Sequence, residues 1–227
     1  MSLDPAPRAP VRPSALLFDL DGTLVDSRRD IAVACNATRV AHGRSPLAFE
    51  AIMAMVGDGA RALVARAFGV DGGEPVVDGA LATFKASYLA APCVYTSLLP
   101  GVRDVLDDAA AAGLPCAVVT NKPRDVTLLV LENLAIRRYF GAVWGGGDGP
   151  LKPDAAGVVA VIATLDVDAH SSWMIGDGPQ DIGAGKAAGC FTVGVPGIAE
   201  RDRLLESSPD LICETLLQLR DLLRSQR

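Results

Sequence analysis

Aromatic side chains are scarce in this chain, 5% of 227 residues, while half of all residues are hydrophobic. A sizeable core is therefore available, but it has to be built mainly from Ala, Val, Leu and Ile. Basic residues are also in the minority: 21 Lys and Arg against 27 Asp and Glu leave a net charge of −6. That balance denies the chain the electrostatic footprint of a nucleic-acid binder, and no basic cluster suits an anionic membrane surface. No apolar run is long enough to span a bilayer. The five cysteines, Cys35, Cys93, Cys116, Cys190 and Cys213, are scattered, with no pair at zinc-ligand or redox spacing. They read as small buried hydrophobes in a reducing compartment. Histidine occurs twice, His42 near a helix end and His170 in a loop, and neither belongs to a cluster. The opening MSLDPAPRAPVRP carries four prolines and lacks the apolar centre of a signal peptide. Residues 1–13 are expected to be a disordered leader, and the whole a cytoplasmic monomer or homodimer.

What is present is a rhythm. From residue 101 onward, helical and strand signals alternate. GVRDVLDDAAAAG places Val102, Val105, Leu106 and Ala109 at helical spacing; PCAVVT is short, apolar and β-branched. RDVTLLVLENL, GAVWGG, DAAGVVAVIATL, SWMIG, QDIGAGKAAG and CFTVGV continue the alternation, and LIC with ETLLQLRDLL closes it. In DAAGVVAVIATL the inward face is read as Val158, Val159, Ile162 and Leu165; Trp173 and Met174 in SWMIG are read as core. Such alternation predicts an α/β fold, a Rossmann-like parallel sheet with helices on both faces. Residues 26–92 break the rhythm. Four helical patterns follow one another there with no strand between them, so the chain divides into a core of residues 14–25 and 93–227 and an inserted, all-helical cap of residues 26–92.

The first strand, LLF, runs straight into Asp19, and Asp21 follows one residue later. Like charges so close raise each other's cost of ionisation, so their presence needs a reason. In parallel sheets, ligands bind beyond the carboxyl ends of the strands. At those ends stand Asp19 and Asp21; Thr120, Asn121 and Lys122; Lys152 in LKPD; and Asp177 with Asp181. Converging carboxylates without His or Cys suit a hard cation with oxygen ligands, Mg²⁺ rather than zinc, and a phosphate dianion would be repelled without it. Lys122 reads as a surface charge near the entrance. The glycine-rich GGGDGPLK and GAGKAAG fail the P-loop spacing, with Ala187 where a hydroxyl is required.

Four ordered motifs, DLDGT (19–23), VVTN (118–121), LKPD (151–154) and GDGPQD (176–181), resemble those of the haloacid dehalogenase superfamily, in its phosphatase branch. The resemblance covers everything after the leader. It implies Asp19 as the nucleophile that forms an aspartyl-phosphate and Asp21 as the acid, then base. It implies metal ligation by Asp19, the backbone carbonyl of Asp21, and Asp177, with Asp181 behind them. Thr120 and Asn121 would bind phosphoryl oxygens, and Lys152 would offset charge. Gly178 and Ala155 depart from the family's frequent hydroxyl and proline at these places.

Within the cap, VGDGARALVARAF (56–68) resembles the specificity segment of phosphoglycolate phosphatases. Gly57, Asp58 and Gly59 would open a helix whose free N–H groups reach a substrate carboxylate, with Arg61 in its first turn. The expected substrate is a small phosphorylated metabolite, 2-phosphoglycolate first. Sugar phosphates such as N-acetylmuramate 6-phosphate, pyrophosphate, and a sugar-phosphate mutase on the same scaffold are the alternatives. A receiver-type phosphorylation switch also uses Asp, Thr and Lys on a parallel sheet, but has no helical insertion after its first acidic strand.

Overall fold

A computed structural model describes residues 12–196 and 201–226; most of the leader lies outside them, and Pro13 at its end is buried. Six parallel strands form one sheet: β1 (Ala15–Phe18), β4 (Cys116–Pro123), β5 (Phe140–Gly146), β6 (Ser172–Gly176), β7 (Phe191–Gly194) and β8 (Leu211–Ile212), in the order β5-β4-β1-β6-β7-β8. All four residues of β1 are fully buried, because both faces of the sheet are covered. Alternation along the strand decides which side each residue serves. Leu16 and Phe18 join a large cluster with α5 (Val102–Ala111), α6 (Arg124–Asn133) and α10 (Leu216–Ser225). Ala15 and Leu17 join a smaller one with α7 (Ala156–Leu165) and α8 (Pro179–Ala187). A further helix, α9 (Arg201–Glu206), precedes β8.

In α7, Val158, Ile162 and Leu165 face the smaller cluster as the sequence pattern reads, but Val161 takes the place read for Val159. Val158 and Val161 are buried, whereas Val159 is 52% exposed. An eleven-residue stretch of nearly uniform hydrophobicity carries no polar stripe to fix its face. Trp173 and Met174 are fully buried, as the strand pattern predicts.

After β1 the chain leaves the sheet through β2 (Val25–Asp26), forms α1 (Arg28–Ala41), α2 (Phe49–Met53), α3 (Gly59–Phe68) and α4 (Pro75–Ala90), and returns at β3 (Ser97–Leu98). The sequence pattern assigns no strand near this segment's borders, yet β2 and β3 pair antiparallel, Val25 with Leu98 and Asp26 with Ser97. Two residues per strand are too few to show a period. The buried face of the helical segment, including Ile31, Leu63, Phe84 and Tyr88, is continuous with the large core cluster. Among the described residues no helix is long and apolar enough to cross a membrane.

Candidate active site

The chain order reverses at β1: β4 and β5 lie to one side, β6, β7 and β8 to the other. This is the switch point where an open parallel sheet leaves a crevice. The ladder continues one residue past β1, with the Asp19 N–H donating to the Ile175 carbonyl at 2.9 Å, so Asp19 is set at the crevice floor by sheet geometry. It is 7% exposed.

Lys152 holds the centre. Its ammonium donates to Asp19 Oδ1, Asp181 Oδ1 and the Val119 carbonyl, each at 2.6 Å. Three acceptors match the three protons of a lysine. Burial alone would lower the pKa of Lys152, but the carboxylates of Asp181 and Asp19 outweigh it and hold the ammonium charged. The loop that carries Lys152 is fixed by Asn121, whose Oδ1 accepts from the Lys152 N–H at 2.8 Å and whose Nδ2 donates to the Lys152 carbonyl at 3.0 Å.

Asp177, just past β6, accepts from the Thr23 hydroxyl at 3.2 Å. Asp181, buried in the first turn of α8, accepts from the Gly178 N–H at 3.0 Å. One carboxylate oxygen from each of Asp19, Asp177 and Asp181 lies within 4.8 Å of the others. Burial pushes the Asp19 carboxyl up to about 6, with the Asp181 and Asp21 charges adding to it and Lys152 opposing. Burial, then Asp181 and Asp19, raise Asp177 well above the usual carboxylate range.

Asp21 faces another way. Its carboxylate accepts from the Ser27 hydroxyl at 2.5 Å and from Lys122 Nζ at 2.9 and 3.1 Å, so it stands outside the carboxylate trio. Lys122 is only 5% exposed, which corrects its reading as a surface charge. β4 continues through Pro123, and Tyr88 of α4 covers the lysine, accepting from its ammonium at 2.5 Å. The ladder is irregular between Val119 and Pro123, and Thr120, Asn121, Lys122 and Pro123 all line the crevice, so local alternation does not mark Lys122. With Lys122 included, the crevice holds four carboxylates against two ammonium groups.

A cavity of about 700 Å³ lies above this floor, between the sheet and the helical segment. Thr120 lines it, as do Phe49, Met53 and Arg66 from the helices. Gly57 and Asp58 line it too, but both are tied down: Asn121 Nδ2 of β4 donates to the Gly57 carbonyl at 3.1 Å and Gln180 Nε2 of α8 to Asp58 Oδ1 at 2.9 Å. The Asn121 amide is therefore fully engaged within the protein, which leaves no side-chain donor for the phosphoryl contact expected of it. Gly59, at φ +86°, opens α3 where a Cβ would come within 2.7 Å of Leu151 Cδ1. Arg61 points elsewhere, donating to the Gly72 carbonyl at 2.8 Å and pairing with Asp78 at 2.5 Å. The arginine of α3 that reaches the cavity is Arg66, five residues on, which pairs with Asp58. Five residues turn a helix well past a quarter circle, and the sequence alone does not say which arginine faces inward.

A model of haloacid dehalogenase-like hydrolases matches residues 16–195. The chain belongs to this family. This haloacid dehalogenase-like hydrolase is 36% identical over 218 residues to the phosphoglycolate phosphatase of Chromobacterium violaceum, covering 93% of this chain and 96% of that one. It is 36% identical over 214 residues to the phosphoglycolate phosphatase of Pseudomonas fluorescens, covering 91% of this chain and 78% of its relative. The crystal structure of a predicted phosphoglycolate phosphatase from Haemophilus somnus superposes with a TM-score of 0.83 at 26% identity, over 96% of this chain and 99% of that one. The hydrolase is a phosphatase.

Proposed function

We propose that the chain hydrolyses 2-phosphoglycolate through an aspartyl-phosphate on Asp19, with Mg²⁺ as cofactor and residues 26–92 as a cap over the site. The observation that carries this reading is the convergence of Asp19, Asp177 and Asp181 around one point beside Lys152. The choice of substrate rests on the relatives named for it and on the resemblance of residues 56–68.

The donor set suits the ion. It offers oxygen atoms only, and burial, with neighbouring carboxylates adding to it, raises Asp19 and Asp177, a cost to their charged forms that a cation would relieve. Asp19 and Asp177 would hold it, with the backbone carbonyl of Asp21, while Asp181 stays committed to Lys152 and the Gly178 N–H. When bound, the ion would neutralise charge on the phosphoryl oxygens.

The protein groups then act in two steps. An Asp19 oxygen attacks phosphorus, the ester P–O bond breaks, and protonated Asp21 hands its proton to the departing oxygen, giving the alcohol. Asp21, now a carboxylate, takes a proton from water as that oxygen attacks phosphorus, and the bond to Asp19 breaks to release inorganic phosphate. Thr120 would bind a phosphoryl oxygen, and the Lys152 ammonium counters charge on Asp19 and on the phosphate. Uncatalysed phosphate-monoester hydrolysis asks for up to ~10²¹-fold acceleration, which a covalent step with fixed positive charges is suited to supply. The thiols of Cys35, Cys93, Cys116 and Cys213 are free, which fits the proposed cytoplasmic setting.

The test is a phosphate-release screen with and without Mg²⁺. It would cover 2-phosphoglycolate, sugar phosphates including N-acetylmuramate 6-phosphate, and pyrophosphate. We expect 2-phosphoglycolate to lead, activity to vanish with chelator, and Asp19→Asn to be folded and inactive. Turnover surviving in Asp19→Asn would sink the aspartyl-phosphate.

A further inference from the structure

Asp21 is held on two sides, by Ser27 at the border of the helical segment and by Lys122 of β4. Ser27, the residue before α1, donates to Asp21 Oδ1 at 2.5 Å. Lys122 reaches both carboxylate oxygens, and its ammonium also donates to the Tyr88 hydroxyl at 2.5 Å and sits 4.5 Å from the centre of the Tyr88 ring. Ser27, Lys122 and Tyr88 are 2%, 5% and 1% exposed, so water reaches these bonds only from the Asp21 side, whose side chain is 22% exposed. Tyr88 lies near the end of α4, more than 30 residues before Lys122, and its ring packs edge-on against Phe84, with centroids 5.7 Å apart. The hydroxyl therefore sits at a place fixed by helix packing, not by the sheet.

Geometry says what this arrangement does. An ammonium with two carboxylate oxygens as partners can swing between them. A third bond, to a rigid phenol, fixes it on one line. The direction of the Asp21 carboxylate is thereby set by a side chain of the helical segment. We propose that Lys122, anchored by the Tyr88 hydroxyl, is the positioning residue for Asp21, so that the acid is aimed at the ester oxygen only while α4 lies against the sheet. This rests on the reading of Asp21 as the acid of the first step. Neither Lys122 nor Tyr88 need touch the phosphate for the proposal to hold.

A lysine that merely neutralised a buried carboxylate would, when disturbed, slow all substrates alike. A lysine that aims a proton donor has a sharper signature. Its loss harms esters whose leaving group needs a proton and spares those whose leaving group departs as a stable anion. The experiment is kcat/KM for the Mg²⁺-supplemented full-length protein on phenyl phosphate and 4-nitrophenyl phosphate, with 2-phosphoglycolate as a third substrate. Tyr88→Phe removes one oxygen and keeps the ring that packs on Phe84. We expect it to lose roughly ten-fold or more on phenyl phosphate and 2-phosphoglycolate, but less than about three-fold on 4-nitrophenyl phosphate, a fraction of the whole acid contribution. Lys122→Met should deepen the same contrast. Should Lys122→Met fail to fold, Tyr88→Phe decides alone, its integrity checked by an unchanged melting curve.

Equal losses on the aryl pair, or no loss on either, would overturn the positioning role. Asp19→Asn run beside them keeps the two ideas apart. If it is inactive on all three substrates while Tyr88→Phe shows no leaving-group contrast, the proposed chemistry stands and the positioning role falls. If Asp19→Asn still turns over, the underlying reading falls instead.

Discussion

Gly22 shows how tightly single residues are constrained at this site. Its φ is +91°, and a Cβ there would stand 2.1 Å from Asp177 Oδ2. Any side chain would strain the backbone and push away a carboxylate proposed to hold the ion. Gly22→Ala should therefore abolish the rise in melting temperature that Mg²⁺ gives the parent protein, a rise worth about 2.7 kcal/mol at a hundred times the dissociation constant. An unchanged Mg²⁺ response would remove Asp177 from the proposed ion site. Lys152 makes the complementary case. Lys152→Met leaves two buried carboxylates, Asp19 and Asp181, facing each other without a counter-charge. Breaking such a buried pair costs about 3–5 kcal/mol, so the expected result is a strongly lowered denaturation midpoint together with lost turnover. Lys152→Arg should not restore activity, because three acceptors at 2.6 Å surround a compact ammonium and cannot admit a planar guanidinium. Denaturant titration and phosphate release check both variants.

At the scale of elements, the return of the chain from α4 to the sheet depends on one acid. Asp30, buried in the first turn of α1, accepts from the Thr96 N–H at 2.8 Å, the Thr96 hydroxyl at 2.6 Å and the Tyr95 N–H at 3.0 Å. These bonds fasten the segment leading into β3 onto α1, which follows β2. Asp30→Ala strands two backbone N–H groups and should destabilise by about 3 kcal/mol, given 1.5–3 kcal/mol for a hydrogen bond to a charged group. Limited proteolysis should then cut between residues 90 and 98 faster than in the parent chain. Nothing in the sequence marks Asp30, since an acid in a first helical turn is ordinary. Most strands and helices of the sheet layer, α9 apart, were legible because each is an apolar block closed by glycine or polar residues. Contacts between elements were not. The Asn121 amide, the turning of Arg61 away from the cavity and the covering of Lys122 by Tyr88 each depend on how distant segments pack, which no local spacing records.

For the whole molecule, the small share of aromatic residues has a consequence for its pH range. Thiols fill places in the core, and a buried thiol has to leave it to ionise. Burial pushes Cys116 on β4 up to about 12 from 9.0, raises Cys213 to about 11 and shifts Cys35 upward. The unfolded chain releases these protons first, so above pH 9 it binds fewer protons than the native state and stability falls as pH rises. The contribution is intact below the unfolded value and is lost through the window up to the folded one. For Cys116 alone, about 1.5 pH units above 9.0 correspond to about 2 kcal/mol near pH 10.5, at 1.36 kcal/mol per unit. Urea titrations at about pH 7.5 and about pH 10.5 read this directly. The parent protein should lose stability between them, and Cys116→Ala, though weaker at both from its missing sulfur, should lose about 2 kcal/mol less across the interval. An identical loss in parent and variant would mean that the alkaline limit of the fold is set elsewhere than at this thiol.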